Sequence, residues 1–345
     1  MGQPLVEIDG SFGEGGGQIL RSSLSLSLLT GRPFHLRNIR AGRQKPGLQP
    51  QHLVSVHAAA AIAGARLHGD SLNSTELAFE PGPVLPGKYH FVIRTAGATG
   101  LVLQTVYLPL ALRATTSSEV SIEGGTHVPT SPCFHFLEAT WRRYLELLGM
   151  AIELRLQRPG FYPRGGGLIE ATLEPCLKLR GLHLSERRTV TTARGFSVVA
   201  GLPEHIAQRQ ARRACRRLEE AGLSVDIREE SWRGGPGTVL AVILDTEPVP
   251  TLFFALGARS KPAERVADEI VDQVLAYQKA APAAVDAHSA DQLILPLAMA
   301  EGSSEFRVVE ITSHLLTNIA VTGRFLERDI RCEGALGAAG SVRIS

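Results

Sequence analysis

The stretch Gln18-Ile-Leu-Arg-Ser-Ser-Leu-Ser-Leu-Ser-Leu-Leu-Thr30, closed by Gly31 and followed by Phe34-His-Leu-Arg-Asn-Ile39, decides how the rest of the chain is read. An apolar helical segment stops at a glycine, and a short β-type run follows. The pattern returns as Gln51–Ala63, Gly64 and Ala65–His68, then as Phe134–Leu148, Gly149 and Ile152–Leu156. A further copy is Ile206–Ala221, Gly222 and Ser224–Arg228. Glycine just past a helix takes the left-handed conformation that other residues resist, so each helix is expected to end there. Repeated helix–Gly–strand units point to an α/β or α+β protein with internal structural repeats. A strand is expected over Leu5–Ile8, and helices over Ala290–Ala300 and Ser313–Phe325.

The texture changes between about Ser185 and Ala280. Here Ala207, Ala211, Ala214, Cys215 and Leu218 form an apolar helical stripe, and Arg209, Arg212, Arg213, Arg216 and Arg217 fall mostly on the other faces. These arginines are read as a solvated face, with nucleic-acid contact as the alternative. The expected plan is a large domain of residues 1–184 and 281–345, interrupted by a small α/β domain of residues 185–280.

Composition sets limits. The chain has 345 residues, 44% hydrophobic and 20% charged, as in a globular protein of about two domains. A net charge of +2 excludes a strongly basic coat but not a local basic site. Five lysines stand against 31 arginines, which suits bidentate phosphate contacts, although a compositional bias gives the same skew. Cys133, Cys176, Cys215 and Cys332 are far apart in sequence, which argues against a disulfide framework or a zinc knuckle and fits a reducing compartment. The start Met1-Gly-Gln-Pro-Leu-Val-Glu7 has no basic n-region and no apolar h-region, and Val6 stands where a myristoylation motif needs Ser or Thr. The most apolar run, Leu101–Leu112, contains Gln104 and Thr105 and is too short to span a bilayer. A cytoplasmic setting is expected.

Four segments carry candidate chemistry. In Asp9-Gly-Ser-Phe-Gly-Glu-Gly-Gly-Gly-Gln-Ile-Leu-Arg21 a strand runs through glycines into a helix, whose first N–H groups can face an anion. It fits neither the Walker A nor the dinucleotide-binding fingerprint. Glu14 beside a phosphate cradle would repel phosphate unless a divalent cation lies between, so it is read as a metal ligand or as a solvated loop acid. Arg21 follows Gln18 by one helical turn on the same face. In Leu36–His52 the cations Arg37, Arg40, Arg43 and Lys45 crowd a strand end and a glycine-bearing loop, and Gln51 and His52 open the next helix. That suits a phosphorylated end, or a plain solvated loop. His314 falls in the first turn of a helix capped by Thr312 or Ser313, where the dipole disfavours imidazolium and leaves a neutral nucleophile. An ordinary exposed histidine fits the same position. His288-Ser-Ala-Asp-Gln292 opens another helix, where Asp291 and Gln292 can serve a nucleotide or simply the helix dipole. Gln104, in an apolar run, is a buried amide that needs partners.

Together these motifs resemble the RNA 3′-terminal phosphate cyclase family. The resemblance rests on Asp9-Gly and Gly13–Arg21, on Ile39–Arg43 with Lys45-Pro-Gly-Leu48 and Gln51-His52, and on Leu101–Thr105 and Gly124-Gly-Thr126. It continues through Gly160-Phe-Tyr-Pro-Arg-Gly-Gly-Gly167, Ala290–Leu293 and Ser313–Ala320. Pro159 departs from the Arg or His usual before that glycine, and His288 stands where some relatives have Tyr. The resemblance implies a large domain of βαβαββ-type units, similar in plan to enolpyruvyl transferases, with a smaller α/β insert. It implies that ATP adenylylates His314, that AMP passes to an RNA 3′-phosphate to give an RNA-pp-A end, and that the 2′-hydroxyl closes a 2′,3′-cyclic phosphate. It also implies contacts to ATP or AMP from Gln104, His288, Ser289, Ala290, Asp291 and Gln292. Arg21, Arg40, Arg43, Gln51 and His52 would meet phosphates or the RNA end, and Glu14 would hold Mg²⁺ or Mn²⁺. The expected partner is RNA with a 3′-phosphate, with no membrane and with homo-oligomerisation open. The alternatives are a cyclase-like RNA-processing scaffold, whose members lack the nucleophilic histidine, and a carboxyvinyl transferase sharing the architectural plan.

Overall fold

The computed structural model describes residues 3–345; Met1 and Gly2, the first residues of the start read above, lie outside them. The first unit runs β1 (Val6–Asp9), α1 (Gly17–Thr30), β2 (Phe34–Arg37), α2 (Pro50–Ala61), β3 (Arg66–His68), β4 (Leu77–Glu80). Its sheet order is β1-β2-β4-β3, with β1 and β2 parallel and the other pairs antiparallel.

The second unit repeats this plan. It runs β5 (Lys88–Val92), α3 (Thr99–Arg113), β6 (Ser118–Gly124), a helix in three parts, β7 (Ile152–Arg158) and β8 (Gly167–Leu173), in the order β5-β6-β8-β7 with the same directions. The three-part helix is α4 (Phe134–Phe136), a π-helical turn (Leu137–Trp141) and α5 (Arg142–Leu147). A third unit starts with β9 (His183–Leu184) and is then interrupted by β10 (Thr192–Ala200), α6 (His205–Glu220), β11 (Ser224–Trp232), β12 (Gly237–Leu244), β13 (Thr251–Leu256) and α7 (Ala263–Lys279). It resumes with α8 (Ala287–Ala298), β14 (Ser304–Val308), α9 (Ser313–Phe325), β15 (Ile330–Glu333) and β16 (Gly340–Ile344). Its order β15-β16-β14-β9, with β9 and β14 parallel, is the same sheet again. The fold is thus a mixed α/β assembly in which a βαβαββ arrangement occurs three times.

The local chemistry explains the units. Gly31, Gly64, Gly149 and Gly222, read as helix stops, have φ of 72°, 56°, 91° and 87°. The sheets of the three repeated units bury one face under their helices, as the alternating pattern of β6 shows. Helix α1 packs on α2, α3 and α9, and α8 packs on α9. In the interrupting segment β12 is buried on both faces: Val239, Ala241 and Ile243 join the main core, while Leu240, Val242 and Leu244 pack with residues of α6 and α7.

Three local expectations change. The helix expected over Phe134–Leu148 contains the π turn, within which Thr140 Oγ1 donates to Pro250 O at 2.9 Å and accepts from Leu252 N at 3.0 Å. Trp141 meets Tyr107 edge-on at 4.8 Å. The widened turn serves both anchors at once. The arginines of α6 are not simply solvated: Arg209 pairs with Glu264, Arg213 with Asp268, and Arg217 with Asp268 and Asp272 of α7, leaving Arg212 and Arg216 exposed. The apolar stripe holds buried Gln210, bonded to Ser197 and Thr238 at 3.0 Å, whereas Cys215 is half-buried. Among the described residues no helix is long and apolar enough to cross a membrane.

Two glycine substitutions are expected to act with opposite sign. Gly149→Ala places a side chain at φ 91° with only ordinary contacts, so it should cost about 1–2 kcal/mol. Gly323→Ala, inside α9 with open space around its Cβ, should add roughly 0.5–1 kcal/mol. Urea unfolding midpoints of the two variants check this.

Candidate active site

The loop after β1 returns on itself because Ser11 N and Ser11 Oγ both donate to Asp9 Oδ1, at 2.9 and 2.7 Å. Gly13, at φ 60°, lies so close to α9 that a Cβ there would stand 2.3 Å from Thr317 Oγ1. Glu14 N donates to that same hydroxyl at 3.2 Å. The Glu14 side chain is only 6% exposed and is ion-paired with Arg43, which also donates to Glu14 O at 3.2 Å. A Cβ on Gly17 would fall 2.4 Å from His52 Nε2 and 2.9 Å from Arg21 Nη1. The bare backbone at the start of α1 therefore forms the floor of a cradle, with an imidazole and a guanidinium converging on it.

His52 is fixed by its own helix. Its Nδ1 accepts from Gln49 N at 3.1 Å, so the neutral ring carries its proton on Nε2, facing the cradle. Burial, then Arg21 and Arg40, push its pKa down to about 3. Arg21 is lowered to about 10 by burial, against the pull of Glu14 and Asp291.

His314 lies in the first turn of α9, where Thr312 Oγ1 accepts from Leu315 N at 3.1 Å. Of the two caps offered by the sequence, Thr312 is the one used. The ring keeps 53% of its side-chain surface open, and Nδ1 lies 2.5 Å from Gln18 Oε1 and 4.0 Å from Glu14 Oε1. Burial lowers its pKa; Glu14 opposes this, while Arg21, Arg43 and His288 reinforce it. Gln18 Nε2 donates to Asp291 Oδ2 at 2.8 Å. Asn318 Nδ2 donates to Asp291 O at 2.7 Å, and Ser22 Oγ donates to Asn318 Oδ1 at 2.5 Å. Asp291 is crowded by protein although part of it stays open, and loss of solvent raises its pKa to about 7, with Asp286 adding to the rise and Arg21 opposing it.

A cavity of about 60 Å³ adjoins these groups, lined by Gln18, Arg21, Gln104, Trp141, Asp291 and Gln292 among others. Gln104 Nε2 donates to Gln292 Oε1 at 2.7 Å, and Gln292 Nε2 donates to His288 O at 2.9 Å. The amide expected to be buried at Gln104 is only half-buried, and it finds a side-chain partner from another unit. Helix α8 is capped by Asp286, whose Oδ1 accepts from His288 N and Ser289 N at 2.9 and 3.0 Å.

The structure therefore gathers Glu14, Arg21, Arg43, His52, Gln104, Asp291, Gln292 and His314 from loops and helices distant in sequence. It does not bring Ser289 and Ala290 to the cavity, because both are buried toward the core on α8. Gln51 spends its oxygen on Ala98 N at 2.7 Å, at the start of α3. Arg40 braces its own loop by donating to Lys45 O at 2.5 Å and Gly47 O at 3.1 Å. Gln18, Thr317, Asn318 and Asp286 were not singled out from sequence. The available signal was polar residues at helical spacing, Gln18 with Ser22 and His314 with Thr317 and Asn318, on otherwise apolar helices.

Among the described residues no three His, Cys, Asp or Glu side chains surround one point. The donor set fits a hard cation held by one carboxylate, Glu14, with waters and substrate oxygens completing the shell, rather than an all-protein cage.

A family model described as RNA 3′-terminal phosphate cyclase matches residues 12–332. The chain belongs to the RNA 3′-terminal phosphate cyclase family. Curated proteins called RNA 3′-terminal phosphate cyclase agree. One from Pseudomonas fluorescens is 47% identical over 328 residues, covering 94% of both chains. One from Ralstonia nicotianae is 45% identical over 324 residues, covering 94% of this chain and 92% of the relative. One from Salmonella typhimurium is 43% identical over 341 residues, covering 99% of both chains. The cyclase family's match spans every segment that supplies the site, from Glu14 to Asn318.

The raised Asp291 pKa carries a stability consequence. Between about pH 4 and 7 the folded carboxyl holds a proton that the unfolded chain releases, so stability falls as pH rises through that window. Asp291→Asn should therefore stabilise the ligand-free protein at pH 8 by roughly 1–3 kcal/mol, with the gain vanishing toward pH 4. Urea unfolding of both proteins across pH 4–8 is the check.

Proposed function

We propose that this chain is an ATP-dependent RNA 3′-terminal phosphate cyclase working through a covalent His314–AMP enzyme. The observation that carries the reading is His314 itself. Its Nδ1 is held by Gln18 while most of the ring faces outward beside a cradle of backbone N–H groups, Arg21 and His52. A neutral imidazole with one free nitrogen, next to fixed positive charge, suits attack on a phosphorus whose charge must be spread. The cyclase names of the relatives and the family match support the same chemistry for this chain.

In this reading the triphosphate of ATP lies along Arg21, Arg43 and the start of α1, with the nucleoside toward Gln104, Asp291 and Gln292. His314 takes AMP and pyrophosphate leaves; AMP then passes to the RNA 3′-phosphate. The 2′-hydroxyl next attacks that phosphate and expels AMP. The detour is needed because a phosphate monoester has no good leaving group, and AMP provides one. A requirement for the 2′-hydroxyl restricts closure to RNA ends. Glu14 would hold the divalent cation, Mg²⁺ or Mn²⁺, that neutralises phosphate charge, and Arg43, freed from its carboxylate, would then turn to phosphate. We place the interrupting segment, residues 185–280, outside this chemistry as a separate inserted domain of the large body formed by 1–184 and 281–345.

Incubation with α-labelled ATP and Mg²⁺ should give one AMP per chain, in an acid-labile, alkali-stable linkage, and His314→Ala should give none while keeping its circular dichroism. Persistent labelling of that variant would move the nucleophile elsewhere. Glu14→Ala should slow labelling at least about tenfold, with partial relief at high Mg²⁺.

A further inference from the structure

Three helices from two different units meet in a single run of hydrogen bonds around Asp291, and the run has a direction. Ser22 Oγ donates to Asn318 Oδ1, and Asn318 Nδ2 donates to the backbone carbonyl of Asp291. Once ionised, above about pH 7, the Asp291 carboxylate can only accept, and the amide nitrogen of Gln18 faces it at 2.8 Å. Gln18 is 6% exposed and cannot satisfy its other end with bulk water. Its oxygen is thereby turned to His314 Nδ1 at 2.5 Å. A carbonyl oxygen cannot donate, so the proton of the neutral ring must reside on Nδ1.

We propose that Gln18 is a positioning residue that fixes His314 as the Nδ1–H tautomer and so keeps the Nε2 lone pair free before nucleotide binds. The inference rests on the covalent His314–AMP reading above. Solvent-exposed imidazole prefers its proton on Nε2, the tautomer in which that nitrogen has no lone pair to offer. Gln18 reverses the preference. The step then needs no proton transfer. The Nε2 lone pair forms the N–P bond, and the P–O bond to pyrophosphate breaks with its electron pair leaving on pyrophosphate. Nδ1 keeps its hydrogen and the ring becomes a cation, facing the Gln18 oxygen and Glu14 Oε1 at 4.0 Å. When an RNA phosphate oxygen later attacks phosphorus, the N–P bond breaks and the same ring departs neutral, again without moving a proton. A neutral amide in this place, rather than a carboxylate, holds the proton without making the ring more basic. The elevated pKa of Asp291 is consistent with a carboxyl whose solvent has been replaced by these fixed partners.

The test begins with the unaltered protein. In ¹⁵N-histidine-labelled, nucleotide-free protein near pH 8, His314, identified by the signal missing from His314→Ala, should show a protonated Nδ1 and an unprotonated Nε2. Gln18→Leu should move the proton largely to Nε2 and reduce the rate constant for AMP attachment on the order of 100-fold, with ATP affinity within a few-fold of the original. Gln18→Glu restores an acceptor: it should return Nδ1–H, recover at least about tenfold of the lost rate, and shift the acid limb of the pH profile upward. An Nε2–H signal in the unaltered protein, or a Gln18→Leu enzyme that attaches AMP at the original rate, overturns the inference. Absence of any AMP attachment by the unaltered protein would instead sink the covalent reading, while the tautomer measurement still judges Gln18.

Discussion

Helix α1 has almost no solvent face. Ile19, Leu20, Leu24, Leu26, Leu28 and Leu29 are buried, and so are Ser22, Ser23, Ser25 and Ser27. A helix apolar on one side would leave its polar side to water, but this one is enclosed by α2, α3 and α9. The serines make that enclosure workable. Their small side chains let neighbouring helices come close, and their hydroxyls are bonded, Ser25 Oγ to Thr105 O at 2.7 Å, Ser23 Oγ to Ile19 O at 2.7 Å and Ser27 Oγ to Arg32 O at 2.6 Å. Left unbonded, each would cost roughly 1–3 kcal/mol. Because the shaft of α1 is locked among the units, its amino-terminal end is locked too, and Glu14, Gln18 and Arg21 inherit their positions from it.

The electrostatics follow from that enclosure. The groups that face the cradle are not free to choose their ionisation by contact with water. His52 is neutral because burial and two guanidinium neighbours make its cation costly, and the Glu14 carboxyl lies against the Arg43 guanidinium. Arg21 stays a cation even after losing much of its solvent, since its pKa remains near 10. The cradle is therefore positive through arginines and backbone N–H groups, and its histidine contributes a donor rather than a charge. A polyanion entering it would meet dipoles already aimed.

Much of this was legible in the residues. Glycine stops at Gly31, Gly64, Gly149 and Gly222 gave the helix ends, because only a left-handed residue closes a helix cheaply. Thr312 and His314 were legible because capping is local chemistry, and Ser313–Phe325 appears as α9 with those bounds. What was hidden depends on long-range pairing. Nothing in the arginine-rich α6 announces that its cations answer Glu264, Asp268 and Asp272 on α7. Nothing local to Gln51 announces that Ala98 N takes its oxygen and leaves its Nε2 to donate elsewhere. The π turn at Leu137–Trp141 serves a partner segment more than a hundred residues away, so local propensity carries no trace of it. Gln18 sat in plain view beside Arg21, but its worth depends on Asp291 and His314, both far along the chain.

The interruption between β9 and α8 bears on the order in which the molecule can be made. As the chain emerges from the ribosome, the first two units and the whole sheet of β10 to β13 are available before α8 and α9 exist. β9 must wait for β14, its parallel neighbour, until residue 304 has been added. His314, on α9, is added later still. A nascent chain cut short after α7 would hold α1 without α9, the helix against which Gly13 and Glu14 pack, so the loop after β1 gains its last support only when the chain is nearly finished.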